Sequence, residues 1–154
     1  IAHSFGGMVT AYSLEQGLET KKVVSIHSPA SHNGFEVQKV VCISSPARFD
    51  FLLERFSSSL YLPEKIQKYL TKSFQKEYGD DLNERVPATH TSQSLGHIPA
   101  LFIHDENDVD VPIFESELLH KAWPSSAIKR TKGLGHRAVL YNAQVIESTV
   151  NFLK

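Results

Sequence analysis

The sequence has few of the features of secreted, membrane or nucleic-acid-binding proteins. Its 154 residues include one cysteine, Cys42, so no internal disulfide can form. No run approaches the roughly 20 apolar residues that a membrane helix needs. The net charge is −1, and no basic stripe is interleaved with aromatic residues, which argues against nucleic acid or an anionic membrane as a partner. We therefore expect a globular chain with a cytoplasmic location, and Cys42, which lies inside an apolar run, is expected to be a small core residue.

The segment at the amino end, AHSFGG at residues 2–7, is the first chemical signal. It fits the small-x-Ser-x-Gly pattern of a nucleophile elbow, a sharp turn that exposes a serine hydroxyl above a parallel sheet. The strained serine needs small neighbours, and Ala2 and Gly6 flank Ser4 at two residues on either side. A helix is predicted from Gly6 to Gln16. The pattern alone is weak evidence, because glycine and serine also fill ordinary turns.

Two later segments agree with the first. The apolar run Ala100–Ile103 predicts a buried strand, and an acidic stretch with three aspartates follows it. A shorter strand-like stretch, residues 127–131, leads into the sequence GLGH at residues 133–136. A serine, an acid and a histidine thus each lie just past the carboxyl end of a strand, in the order that α/β-hydrolases use.

On these residues the chain resembles the α/β-hydrolase superfamily, in particular its small serine-esterase and lipase-like members. Position by position, the resemblance implies that Ser4 is the nucleophile, His136 the general base and Asp108 the orienting acid. Asp105 is the alternative acid and Asp110 a weaker one, and for the two that are not used we expect solvated loop charges. The partner implied is a small-molecule acyl substrate, with no cofactor and no metal.

The resemblance also implies how negative charge on the substrate is stabilised. One oxyanion donor would be the backbone N–H of Phe5, the residue after the nucleophile. The second donor in the family comes from a loop after an early strand, often rich in glycine and well before the elbow. We therefore expect residues 1–154 to form a single, incomplete α/β-hydrolase domain, the carboxyl-terminal part of a larger enzyme.

The expected fold class is α/β, with a mostly parallel sheet flanked by helices and a helical, cap-like insert over residues 49–95. The expected reaction is cleavage of an ester, thioester or amide through an acyl-enzyme. A different hypothesis is that the chain is a catalytically inert fragment, or a domain that depends on a partner. Losing strands would expose a sheet edge and promote self-association.

A near-repeat leaves one feature of the sheet open. Residues 22–30, KVVSIHSPA, are echoed by residues 39–47, KVVCISSPA. Parallel neighbours need a crossover of about a dozen residues, and residues 31–38 are too few for one. We expect one copy to enter the sheet and the other to be an edge strand or a displaced loop.

Three smaller expectations concern the scaffold. Aromatic residues of the insert are candidates to line an acyl pocket: Phe49, Phe51, Phe56 and Tyr61. The last helix, residues 142–153, should bury one face, made of Val145, Ile146, Thr149, Val150 and Leu153. The histidines other than His136 show no metal-ligand spacing and are expected to be structural or solvated.

Overall fold

The computed structural model describes residues 1–15, 37–78 and 95–154. Four parallel strands form one sheet in the order β1-β2-β3-β4. Their bounds are Ala2–His3 for β1, Val40–Ile43 for β2, Ala100–Asp105 for β3 and Ser126–Thr131 for β4. The α/β class and the parallel sheet are as predicted.

Helices follow the strands, as expected of parallel connections. Their bounds are Phe5–Glu15 for α1, Phe49–Ser59 for α2, Glu64–Tyr78 for α3, Ile113–Ala122 for α4, Gly135–Ala138 for α5 and Ala143–Leu153 for α6, with a 3₁₀ turn at Val139–Tyr141. Helix α1 begins one residue earlier than predicted, and Gln16 lies outside the described residues. Among the helices that the structure describes, none is long and apolar enough to cross a membrane.

Alternate residues of the central strands enter two cores. In β2, Val40 and Cys42 pack in a cluster with Trp123 on one side, while Val41 and Ile43 pack in a second cluster on the other. Every residue of β2 and β3 is buried, which is typical of strands covered on both faces. Cys42 is a core residue, as expected, and burial raises the pKa of its thiol to about 12 from an ordinary value of 9.0.

The second copy of the near-repeat, residues 39–47, contains β2 and lies in the middle of the described sheet. The first copy, residues 22–30, lies outside the described residues. Within the described part of the chain β1 pairs with β2 alone, so β1 is an edge strand of the described sheet. Self-association through the β1 edge stays a prediction.

The prediction for the buried face of α6 was partly wrong. Val145 and Thr149 are buried, but Ile146, Val150 and Leu153 are 50%, 45% and 39% exposed. The helix packs against the second core cluster through Val145 and the partly buried Phe152. Its buried face is therefore narrower than the five residues of the predicted face would make it.

Helices α2 and α3 form the described part of the predicted insert, and residues 79–94 lie outside it. Glu115 of α4 fixes the start of α2: its buried carboxylate accepts hydrogen bonds from the backbone N–H groups of Ala47 and Arg48, at 3.0 and 3.1 Å. The same carboxylate pairs with the Arg48 guanidinium at 2.6 Å. This contact attaches the insert to the sheet domain. That the insert acts as a cap, and that residues 1–154 form a single domain, remain predictions.

Candidate active site

Ser4 lies between β1 and α1 in a conformation that few serines adopt. Its φ is 54°, in the left-handed region that is costly for residues with a Cβ. The backbone N–H of Ser4 donates to the carbonyl of Ile43, 3.0 Å away, which fixes the turn to the end of β2. These are the features of the predicted strained elbow.

Among the described residues, the close contact that requires a glycine near the elbow falls at Gly7 and not at Gly6. A Cβ added at Gly6 would meet no described atom within 4 Å, so no described neighbour excludes a side chain there. A Cβ at Gly7 would lie 2.0 Å from Ser45 Oγ and 2.6 Å from Ser45 Cβ. Helix α1 therefore approaches the end of β2 so closely that only glycine fits at position 7.

The loop that carries His136 is shaped by two glycines and one buried carboxylate. Gly133 and Gly135 have φ of 81° and 66°, which side chains disfavour. Asp105, at the end of β3, accepts hydrogen bonds from the backbone N–H groups of Leu134 and Gly135, at 3.0 and 2.9 Å. It also accepts from Thr131 Oγ1 at 2.8 Å and from the backbone of Asn107 at 3.0 Å.

We expected Asp105 to be a solvated loop charge if it was not the orienting acid. That expectation was wrong, because the side chain of Asp105 is buried and positions the loop that carries His136. Burial by itself would raise the pKa of Asp105. The hydrogen bonds from the loop outweigh it and hold the pKa below its ordinary value. The sequence signal was present, since Asp105 directly ends an apolar strand.

Ser4, His136 and Asp108 meet in one line of hydrogen bonds. His136 Nε2 lies 3.1 Å from Ser4 Oγ, and His136 Nδ1 lies 2.8 Å from Asp108 Oδ2. Because a carboxylate only accepts, Nδ1 carries the proton and donates it to Asp108. Nε2 is then free to accept from the serine hydroxyl. The structure thus brings together the three residues that the sequence singled out.

Asp108 is held in its ionised form by several donors. Its Oδ1 accepts from the backbone N–H groups of Asp110 and Val111, both at 2.9 Å. Burial would raise its pKa, but the contacts with His104, Val111 and His136 outweigh it and hold the pKa well below the ordinary value of 3.8. A carboxylate in this state can stabilise a positively charged imidazole beside it.

His104 is a structural residue that sequence reasoning did not connect to the site. It is fully buried, its Nε2–H donates to the Val111 carbonyl at 2.7 Å, and the same nitrogen lies 3.4 Å from Asp108 Oδ2. Its Nδ1 lies 2.6 Å from Ser116 Oγ. An imidazole in a buried strand, directly after the apolar run Ala100–Ile103 and four residues before Asp108, was the available signal.

His3 contacts the candidate base from the elbow side. Its Nε2–H donates to the backbone carbonyl of His136 at 3.1 Å, and the two rings lie 4.8 Å apart. This contact connects β1 directly to the histidine loop. Sequence reasoning placed His3 only among the histidines expected to be structural or solvated, since nothing in a linear pattern shows which distant loop it meets.

Asp110, the weakest candidate acid, lies outside the hydrogen-bonded line. Its side chain is 54% exposed and lies 3.4 Å from the guanidinium of Arg55. The expectation that Asp110 is a solvated loop charge was therefore correct. Ligand-type atoms of Asp108, Asp110 and His136 all lie within 4.8 Å of one another. Since His136 Nδ1 and Asp108 Oδ2 already bind each other, we assign no metal to this group.

Comparison with known proteins gives a short match to a peptidase. No protein-family model matches the chain. Over 59 residues, which cover 38% of this chain, it is 37% identical to a proline iminopeptidase of Xylella fastidiosa. The chain covers 18% of that relative, so the match indicates similarity in one segment.

Solved structures match over nearly the whole chain. An α/β-hydrolase enzyme from the metagenome of lagoon sediments at Mar Chica, Morocco, superposes with a TM-score of 0.57 at 14% identity over 98% of this chain. The chain has part of the α/β-hydrolase fold. A truncated carbohydrate esterase from gut microbiota gives a TM-score of 0.62 at 18% identity over 97% of this chain. The chain spans 57% and 56% of the chains of these two structures, in that order.

Proposed function

We propose that this protein is a serine hydrolase that cleaves an ester, thioester or amide bond through an acyl-enzyme. Ser4 is the nucleophile, His136 the general base and Asp108 the orienting acid. The observation that carries the proposal is the line of hydrogen bonds from Ser4 Oγ to His136 Nε2, 3.1 Å, and from His136 Nδ1 to Asp108 Oδ2, 2.8 Å. The φ of Ser4, 54°, supports it, because a nucleophile elbow holds its serine on a sharp, strained turn between a strand and a helix.

The reaction follows from these positions. As Ser4 Oγ attacks the substrate carbonyl, its proton passes to His136 Nε2, and the ionised Asp108 stabilises the resulting imidazolium. The tetrahedral oxyanion accepts a hydrogen bond from the backbone N–H of Phe5, which begins α1, where helix N–H groups have no intrahelical partner. The imidazolium then gives its proton to the leaving group. In the second half of the reaction His136 accepts a proton from a water molecule as that water attacks the acyl-enzyme. The carboxylic acid product is released, and Ser4 Oγ recovers its proton from His136.

The substrate class is drawn broadly because the relatives differ. A carbohydrate esterase and a proline iminopeptidase cleave ester and amide bonds, as their names state. Both bonds have a carbonyl carbon that an activated serine can attack. We therefore propose acyl transfer to water as the common reaction, with the leaving group unspecified.

The test is labelling of the purified chain with a fluorophosphonate probe, which reacts with activated serines. We expect labelling that is lost in Ser4→Ala and retained in Ser59→Ala, a control at an exposed serine on α2. If the unmodified chain is not labelled, the proposal fails, and the inert fragment or partner-dependent domain becomes the better description.

A further inference from the structure

An apolar pocket lies between the elbow and the two insert helices. It has a volume of about 350 Å³, and the seven described residues that line it are all phenylalanine or leucine. Phe5, the residue after the candidate nucleophile, forms one wall. Helices α2 and α3 supply the rest, including Phe56 and Leu70. The volume is at the small end of the range for ligand pockets, which are largely apolar.

Two large apolar side chains of the pocket are exposed to solvent, although contact with water is unfavourable for such groups. Phe5 is 49% and Phe56 55% exposed, although both could pack in a core. The ring of Phe49 lies 5.4 Å from that of Phe74, and both residues line the same pocket. Because none of the described residues that line it is charged, the pocket favours an uncharged, apolar group as its occupant.

The position of the pocket decides which part of a substrate it takes. His136 donates its proton to the leaving group, so the leaving group must lie beside His136 Nε2. The lining residues come from α1, α2 and α3, and none comes from the loops of Asp108 and His136. The pocket is therefore next to Phe5, whose N–H would bind the carbonyl oxygen, and is not lined by the loop of the proton donor.

We infer that this pocket binds the acyl group of the substrate, so that the preferred substrates carry apolar acyl groups longer than acetyl. The assignment to the acyl side rests on the proposed function, because it uses His136 as the proton donor. Of the predicted lining residues, Phe49 and Phe56 contribute to the pocket. Phe51 instead faces the Arg48 guanidinium at 6.0 Å, and Tyr61 is 93% exposed.

The first experiment compares p-nitrophenyl acetate, butyrate and octanoate, which share one leaving group. Full burial of a methylene is worth about 0.8 kcal/mol, or about fourfold, so a half-open pocket should raise kcat/KM roughly twofold per methylene. Phe56→Ser should lower the preference for octanoate over acetate by roughly tenfold. Tyr61→Ser, the control, should leave that preference unchanged. Equal kcat/KM along the series would overturn the inference.

A second measurement separates this inference from the proposed function. In Ser4→Ala, which lacks the nucleophile, binding of p-nitrophenyl octanoate and acetate is measured by calorimetry. Tighter binding of octanoate, weakened by Phe56→Ser but not by Tyr61→Ser, supports the pocket even if Ser4 proves unreactive. Binding that is equally weak for both esters overturns the pocket even if the fluorophosphonate labels Ser4.

Discussion

Replacing Asp108 with asparagine tests the proposed reaction most directly, because the contacts around it fix how the amide must lie. One side-chain oxygen accepts from the backbone N–H groups of Asp110 and Val111, both at 2.9 Å. Only the amide oxygen can replace it, so the amide nitrogen must face His136 Nδ1. As a donor, it forces the imidazole proton onto Nε2, which then points at Ser4 Oγ and can no longer accept the hydroxyl proton.

The expected loss is about 10⁴-fold in reactivity, the size found when an orienting aspartate elsewhere becomes asparagine, or about 5.5 kcal/mol of barrier. The assay is the second-order rate of fluorophosphonate labelling, with thermal unfolding to confirm that Asp108→Asn remains folded. Asp110→Asn is the matched control, since that carboxylate is exposed on the same loop and should react within about twofold of the unmodified chain. Labelling of a folded Asp108→Asn at the unmodified rate would refute the role of Asp108.

Two further predictions concern buried groups. Asp105→Asn leaves one acceptor oxygen for four donors, so we expect the free energy of unfolding, measured in urea, to fall by about 3 kcal/mol or more. Because the folded state holds the pKa of Asp105 below its ordinary 3.8, the carboxylate stabilises fully above about pH 5. That contribution declines as pH falls through 3.8, so urea titrations from pH 7 to 3 should show a shallower decline for Asp105→Asn; parallel declines would contradict it. Cys42, whose pKa is raised to about 12 by burial, should not react with a disulfide reagent until the chain is unfolded in urea. Reaction with the folded chain would show that the strand is accessible.

The strands and the order of the site residues were predictable because both are local in the sequence. Ala100–Ile103 is an apolar run long enough for a buried strand, and Ser4 and His136 lie in short turn sequences rich in glycine. The resemblance selected Asp108 over Asp105, and the structure places Asp108 beside His136. These features need no knowledge of distant contacts.

The roles of Asp105 and Gly7 were not predictable, because each depends on a segment far away in the chain. The carboxylate of Asp105 accepts hydrogen bonds from the N–H groups of residues 134 and 135, and only the pairing of β3 with β4 brings those residues close to Asp105. Gly7 is required by the approach of Ser45. For α6, apolar residues such as Ile146 outnumber the positions that reach the sheet, so hydrophobicity alone assigned too wide a buried face.

The serine hydroxyl and the imidazole that meet at 3.1 Å are 132 positions apart in the chain. Their meeting depends on the register of four strands, since Ser4 follows the first strand and His136 the last. A probe that reads the reactivity of this serine is thus also a reporter of tertiary structure. A collapsed intermediate with helices formed but strands unpaired would not be labelled by the probe, even if its circular dichroism spectrum resembled that of the folded chain.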